Sequence, residues 1–286
     1  MSKPKWLDET AFHGARLSFE VARVLHHEKT AQHELDLIEN PLFGKVLMLD
    51  GATQVTTADE FIYHEMMAHV PILGHGNARD VLIIGGGDCG LAEEVLKHPG
   101  VGSLLQIEID ASVVDFARTH FADFNAPAFA DPRFRIEIAD GAVFAATTER
   151  RFDVILVDST DPVGPGAVLF TEAFYSDLKR CLKPGGIVVT QSSVPFIQRN
   201  EFKTAMRNLA RAFPVASCYV IAVPTYYGGH MALGWASADR KPHDVGLEDL
   251  MVRAEGLATR YYTPEVHLAA FALPRYIAQA KTEATS

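Results

Sequence analysis

Asp158 and Asp161 stand three positions apart in Asp158-Ser159-Thr160-Asp161-Pro162, where an apolar run, Val154–Val157, passes into a turn. The tail Pro162-Val163-Gly164-Pro165-Gly166 makes this an acidic, bent loop. Open α/β sheets place their chemistry at such strand ends. An anionic turn there suits a cationic substrate, and a primary amine is the simplest one. Freeing an amine lone pair at pH 7 costs roughly 4–5 kcal/mol, given a pKa of ~10.4. A carboxylate beside the nitrogen stabilises the positive charge that develops when the amine attacks carbon. Asp158 is the candidate to receive the proton as the new bond forms, and Asp161 to hold the amine. On its own, Asp-x-x-Asp-Pro is also an ordinary Asx-turn. The neighbouring glycine loop tips the balance toward chemistry.

That loop is Gly85-Gly86-Gly87-Asp88-Cys89-Gly90, directly after the apolar run Val81–Ile84. Gly85, Gly87 and Gly90 fit G-x-G-x-x-G, which lets a ligand approach the backbone closely. Glu108 ends the next apolar run about twenty residues on, where a carboxylate can grip two ribose hydroxyls. Asp140-Gly141 follows the third run, at the level of an adenine. Asp88 opposes a dinucleotide, because a pyrophosphate would lie at that helix N-terminus. It equally opposes the carboxylate of S-adenosylmethionine. It favours the decarboxylated molecule, which carries only an ammonium there. Leu182-Lys183-Pro184-Gly185-Gly186, before another apolar run, resembles the late sheet of class I methyltransferases. Tyr63 and Tyr226 are candidates for an aromatic slot around the methylenes and ammonium of a diamine.

The elements that must position these residues are legible in outline. Leu17–Leu25, His33–Ile38 and Val46–Leu49 alternate as strands, and Asp50-Gly51 marks a hairpin. Asp59-Glu60 opens a helix expected to stop at Pro71. From Arg79, apolar runs alternate with helical segments, which implies a mostly parallel sheet covered on both faces. The expected fold is α/β, with a small N-terminal antiparallel β domain over 1–75, including a linking helix, and a catalytic domain over 76–286. Lys281–Ser286 reads as a frayed end.

Composition is that of a globular chain: 286 residues, 48% hydrophobic, 22% charged, formal charge -10. That charge disfavours nucleic acid and anionic membranes and favours cations. Cys89, Cys181 and Cys218 are too few and too scattered for a disulfide framework or zinc ribbon. No signal peptide or membrane span is evident, so a cytoplasmic setting is expected. His64-Glu65-Met66-Met67-Ala68-His69 misses the zinc-protease pattern by one position, and no metal is expected.

Four segments together resemble the spermidine synthases of the polyamine aminopropyltransferase family. They are Asp59-Glu60-Phe61-Ile62-Tyr63-His64-Glu65-Met66, Gly85-Gly86-Gly87-Asp88, Asp158-Ser159-Thr160-Asp161-Pro162-Val163-Gly164-Pro165 and Pro224-Thr225-Tyr226-Tyr227-Gly228-Gly229. The resemblance covers nearly the whole chain. It implies a Rossmann-like, class I methyltransferase-type sheet and aminopropyl transfer from decarboxylated S-adenosylmethionine to putrescine, with no separate cofactor. It implies Asp158 as proton acceptor, and Gln54, Asp88 and Asp161 around the aminopropyl group and amine. Tyr63, His64 and Tyr226 would line the amine channel. Glu108, Asp140 and Gly141 would hold the methylthioadenosine part, with Pro165 near it. A homodimer or homotetramer is implied, with the aspartate loop closing over the substrates.

Three positions depart from the family pattern. His33 replaces a nucleoside-side Gln, Cys89 replaces a Gly, and Ala167 replaces a Glu. The acceptor therefore stays open among putrescine, cadaverine, agmatine and longer polyamines. A diamine N-methyltransferase using S-adenosylmethionine, and a non-catalytic polyamine or nucleoside sensor, are the alternatives.

Overall fold

The computed structural model describes residues 5–9, 14–29, 34–162 and 164–285. His33, one of the nucleoside-side candidates, lies outside them, as does the side chain of Pro165.

The chain begins with the hairpin β1 (Lys5–Glu9) and β2 (Leu17–Val21). A four-stranded antiparallel meander follows: β3 (Arg23–Lys29), β4 (Glu34–Asn40), β5 (Gly44–Leu49) and β6 (Ala52–Thr56). The strand expected over Leu17–Leu25 breaks at Ala22, where the chain leaves one sheet for the other. Asp50 and Gly51 both take positive φ, 50° and 75°, which is the turn that a two-residue hairpin requires. Alternate residues of the meander face opposite ways. Leu35, Leu37, Leu47 and Val55 meet Ala117 and Phe121, whereas Ile38, Val46 and Met48 meet Phe19 of β2. Each face of the meander therefore contributes residues to a core cluster.

Helix α1 (Glu60–His75) runs through Pro71 instead of stopping there. Its residues from Ile62 to Leu73 are buried, and burying Val70, Ile72 and Leu73 at ~1.5–3 kcal/mol each outweighs an interior proline's cost of ~3 kcal/mol. Gly76, at φ 79°, ends the helix, and the Arg253 guanidinium donates to Leu73 O at 2.6 Å.

The large sheet is built from β7 (Asp80–Gly85), α2 (Gly90–Leu96), β8 (Ser103–Glu108), α3 (Ala111–His120), α4 (Ala122–Ala130), β9 (Phe134–Ile138), α5 (Gly141–Thr147) and β10 (Phe152–Asp158). A 3-10 helix, Gly164–Phe170, leads on to α6 (Glu172–Arg180), β11 (Leu182–Gln191), α7 (Arg199–Ala212), β12 (Val215–Ile221) and β13 (Met231–Ser237). Strand order is β12-β13-β11-β10-β7-β8-β9, parallel except for β13, which is antiparallel to both neighbours. Val81, Ile83, Val154 and Leu156 pack on the face carrying α1 and α2. Leu82, Ile84, Ile155 and Val157 pack on the face carrying α6 and α7. Two buried faces explain the unbroken apolar runs.

The C-terminal helices are α8 (Leu247–Arg253), α9 (Pro264–Ala270) and α10 (Arg275–Thr285). The expected frayed end is helical as far as Thr285, because Ile277, Ala280 and Ala284 are buried. No described helix is long and apolar enough to cross a membrane.

Candidate active site

After β7 the chain continues to β8 and β9 on one side, whereas β10 pairs with β7 on the other. Such a switch point opens a crevice at the carboxyl ends of the strands. Asp158 and Gly85 are direct partners in register across it. The Gly86 N–H donates to Asp158 O at 2.8 Å. A Cβ on Gly85, whose φ is 85°, would stand 2.1 Å from that same oxygen, so only glycine fits. At Gly87 a Cβ would meet Val113 Cγ1 at 2.7 Å and Glu108 Oε2 at 3.2 Å. The glycine loop is thus clasped between β8 and β10, next to the aspartate loop.

Asp158 Oδ1 accepts the Tyr63 hydroxyl at 2.8 Å, and Tyr63 packs edge-on against Tyr226 at 5.9 Å between ring centroids. Asp158 is partly open to the crevice, yet the protein crowds it. Burial, with Asp88 adding to it, pushes its pKa up to about 6 against the pull of His64 and Tyr63. Tyr226 donates its hydroxyl to Gln54 O at 2.6 Å, so Gln54 meets the cluster through its backbone, and its side chain turns to Ala52 O at 3.1 Å.

His64 is buried, with Nδ1 2.8 Å from Glu60 Oε2 and Nε2 3.6 Å from Asp88 Oδ1. Burial opposes an imidazolium here, but Asp88 and Glu60 outweigh it and hold the pKa well above the usual imidazole value. Both ring nitrogens are engaged, which makes His64 the link between α1 and the glycine loop. Asp88 Oδ1 also accepts the Gly90 N–H at 2.8 Å.

Asp161 takes Gln191 Nε2 at 3.0 Å and Gln198 Nε2 at 2.7 Å on its two oxygens. Burial raises its pKa, and the two amides partly offset the rise. Glu9 of β1 is buried and accepts the Thr53 hydroxyl. Its pKa is raised by burial and, to a lesser degree, by Asp161. The first hairpin therefore brings a third carboxylate toward the aspartate loop.

On the nucleoside side, Glu108 is buried at the end of β8, and Oε1 accepts the Asp110 N–H at 3.0 Å. Burial lifts its pKa above the usual carboxylate value, against the backbone N–H groups of Asp110 and Ile109. Asp140 is exposed and caps α5, with Oδ1 accepting Ala142 N–H at 2.8 Å and Val143 N–H at 3.1 Å; Gly141 is the first residue of that helix. Ile109 and Val143, which adjoin Glu108 and the α5 cap in the chain, are 56% and 58% exposed and leave apolar surface open there.

Gln191 and Gln198 carry no signal of their own in the sequence, and Asp59 is legible there as a helix start but not as a joint between strands. Gln191 and Gln198 hold Asp161 from the end of β11 and the start of α7. Asp59 is buried and ties β6 to the Tyr226 turn: it accepts the Thr56 hydroxyl at 2.6 Å, the Thr225 N–H at 3.0 Å and the Thr225 hydroxyl at 2.8 Å. His27, Glu34 and Asp36 could hold a cation on the outer face of the β3–β4 hairpin, but His27 already pairs with Asp36 and Lys29 with Glu34.

A family model described as the spermine/spermidine synthase domain matches residues 60–245, and another, the spermidine synthase tetramerisation domain, matches residues 5–57. The polyamine aminopropyltransferase of Ruegeria sp. (strain TM1040) is 50% identical over 279 residues, covering 97% of this chain and 98% of that protein. That of Escherichia fergusonii is 48% identical, covering 98% of each. Among solved structures, a spermidine synthase in complex with the transition-state analogue AdoDATO aligns with a TM-score of 0.93 at 38% identity, covering 98% of this chain and 97% of the other. Spermidine synthase from Thermotoga maritima aligns at 0.89 and 35%, with the same coverage. The chain belongs to the spermine/spermidine synthase family of polyamine aminopropyltransferases.

Proposed function

We propose that this chain transfers the aminopropyl group of decarboxylated S-adenosylmethionine to putrescine, giving spermidine and methylthioadenosine. The observation that carries the reading is the meeting of Asp88, Asp158 and Tyr63 at the switch-point crevice, between a nucleoside-type side and an acidic amine side. Glu108 and Asp140 would hold the ribose and the adenine edge, against Ile109 and Val143. Asp88, steadied by His64, would receive the ammonium of the aminopropyl tail. Asp161 and Glu9 would hold the far ammonium of the diamine. Tyr63 and Tyr226 would flank its methylenes.

The amine nitrogen then attacks the methylene beside the sulfonium. The C–S bond breaks, its electron pair goes to sulfur, and methylthioadenosine leaves. The proton released from nitrogen goes to Asp158, whose raised pKa makes it a better acceptor than an ordinary aspartate. No resident cofactor or metal is needed for this displacement. The chain would work in the cytoplasm as a homodimer or homotetramer, joined through the segment that matches the tetramerisation domain.

Incubating the chain with decarboxylated S-adenosylmethionine and a panel of amines, with mass-spectrometric identification of products, tests the reading. Spermidine and methylthioadenosine are expected. A methylated amine formed from S-adenosylmethionine, or binding without turnover, would overturn it. A preference for cadaverine or agmatine would overturn the acceptor while keeping the reaction.

A further inference from the structure

The four successive carbonyls of Gly85, Gly86, Gly87 and Asp88 are all bonded from the protein side. Gln106, fully buried on β8, donates Nε2 to Gly85 O at 2.9 Å and to Gly86 O at 2.7 Å. Gly86 O also accepts the Cys89 N–H at 2.9 Å, and the Cys89 thiol donates to Gly87 O at 3.6 Å. Asn125, fully buried on α4, donates Nδ2 to Asp88 O at 2.9 Å and to Ala117 O at 3.0 Å.

All described peptides are trans, and a planar trans peptide points its N–H opposite to its C=O. Tying the Gly86 and Gly87 carbonyls inward therefore turns the N–H groups of Gly87 and Asp88 toward the crevice. Gln106 Oε1 and Asn125 Oδ1 are buried without a hydrogen-bond partner among the described residues. An orphaned buried acceptor costs stability, and methionine or leucine would fill either place without that cost. What the carboxamides add is donation to the loop.

We infer that Gln106 and Asn125 are positioning residues for the aminopropyl donor: the two buried carboxamides fix the peptide planes of the glycine loop, so that its N–H groups and the Asp88 carboxylate face the nucleoside. The inference rests on the reading of the site proposed above. Without these donors the carbonyls satisfy themselves by rotating toward water in the crevice. That rotation puts carbonyl oxygens where N–H groups had been and swings Asp88 away from His64. Cys89, held at φ 62°, hinges the same turn.

The test uses the full chain, with methylthioadenosine binding by calorimetry alongside steady-state kinetics. Gln106→Met keeps the volume and removes the donors. It is expected to weaken methylthioadenosine binding and raise the KM for the donor by about tenfold or more, leaving the amine KM within about twofold. Asn125→Leu is expected to act in the same direction and to relax discrimination against S-adenosylmethionine, because Asp88 is the residue it frees. Leu105→Ala, a core truncation on the same strand, is the control: its melting temperature falls and its donor KM stays. If Gln106→Met melts lower yet binds methylthioadenosine normally, or if Leu105→Ala shifts the donor KM equally, the inference fails. Should Gln106→Met not fold, Asn125→Leu carries the same comparison. Failure of the proposed reaction would show separately, as an unmodified chain that binds methylthioadenosine but forms no spermidine.

Discussion

In the proposed reaction Asp158 meets two demands, to accept a proton and to remain an anion beside an ammonium. With its pKa pushed up to about 6, it is protonated in mild acid, so kcat/KM should fall as pH drops below about 6. The Tyr63 hydroxyl lowers that pKa, so Tyr63→Phe should move the acid limb to higher pH, as a pH–rate profile would show. Asp158→Asn should cost turnover ~10²–10⁴-fold, the usual worth of a general base. The same substitution should stabilise the fold. A carboxyl whose folded pKa is raised contributes stability below its unfolded value of ~3.9, and loses that contribution as pH rises through about 6. The thermal midpoint of Asp158→Asn should therefore exceed that of the parent at pH 8 and match it near pH 4. Asp158, Asp161 and Asp88 were legible as candidates because each lies in a short local motif at the end of an apolar run. Gln106, Asn125, Gln191 and Gln198 were not, because each is a lone amide whose partner in the glycine or aspartate loop lies 20 to 37 residues away in the chain.

At the scale of elements, the active site depends on joints between strands that are distant in sequence. Asp59 is the clearest, since it satisfies Thr56 on one side and both polar groups of Thr225 on the other. Asp59→Ala leaves these donors buried and unpaired, at about 1–3 kcal/mol each before the site relaxes. Unfolding in urea should show a loss of about 2–4 kcal/mol. The amine KM should rise as Tyr226 loosens, and an unchanged KM would remove Asp59 from the site's support. The parallel strands β7 to β10 were readable because burial on both faces leaves unbroken apolar runs. The continuation of α1 past Pro71 was not, since nothing local announces that Val70, Ile72 and Leu73 are covered. Met231–Ser237 was not legible either: buried throughout, it shows no alternation of apolar with polar residues, and its place in the sheet is set by neighbours far along the chain.

For the whole molecule, charge and assembly matter most. A net charge of -10 draws diamines toward the crevice over distances that salt screens. Raising ionic strength from about 0.01 to 0.15 M shortens the Debye length from ~30 to ~8 Å, so the amine KM should rise several-fold. Trp6, Val24 and Leu42 are 53%, 48% and 77% exposed within the segment that matches the tetramerisation domain. Charged replacements at these three positions should lower the mass measured by light scattering, and an unchanged mass would exclude them from the contact between copies.

β13 lies antiparallel between β11 and β12, although it is the last of the three to be made. While the polypeptide is still emerging from the ribosome, β11 offers an unpaired border until residues 231–237 arrive to cover it. Exposed strand borders template aggregation. The nascent protein is thus vulnerable until late in synthesis, and a premature stop just before Met231 should give insoluble material instead of a smaller working enzyme.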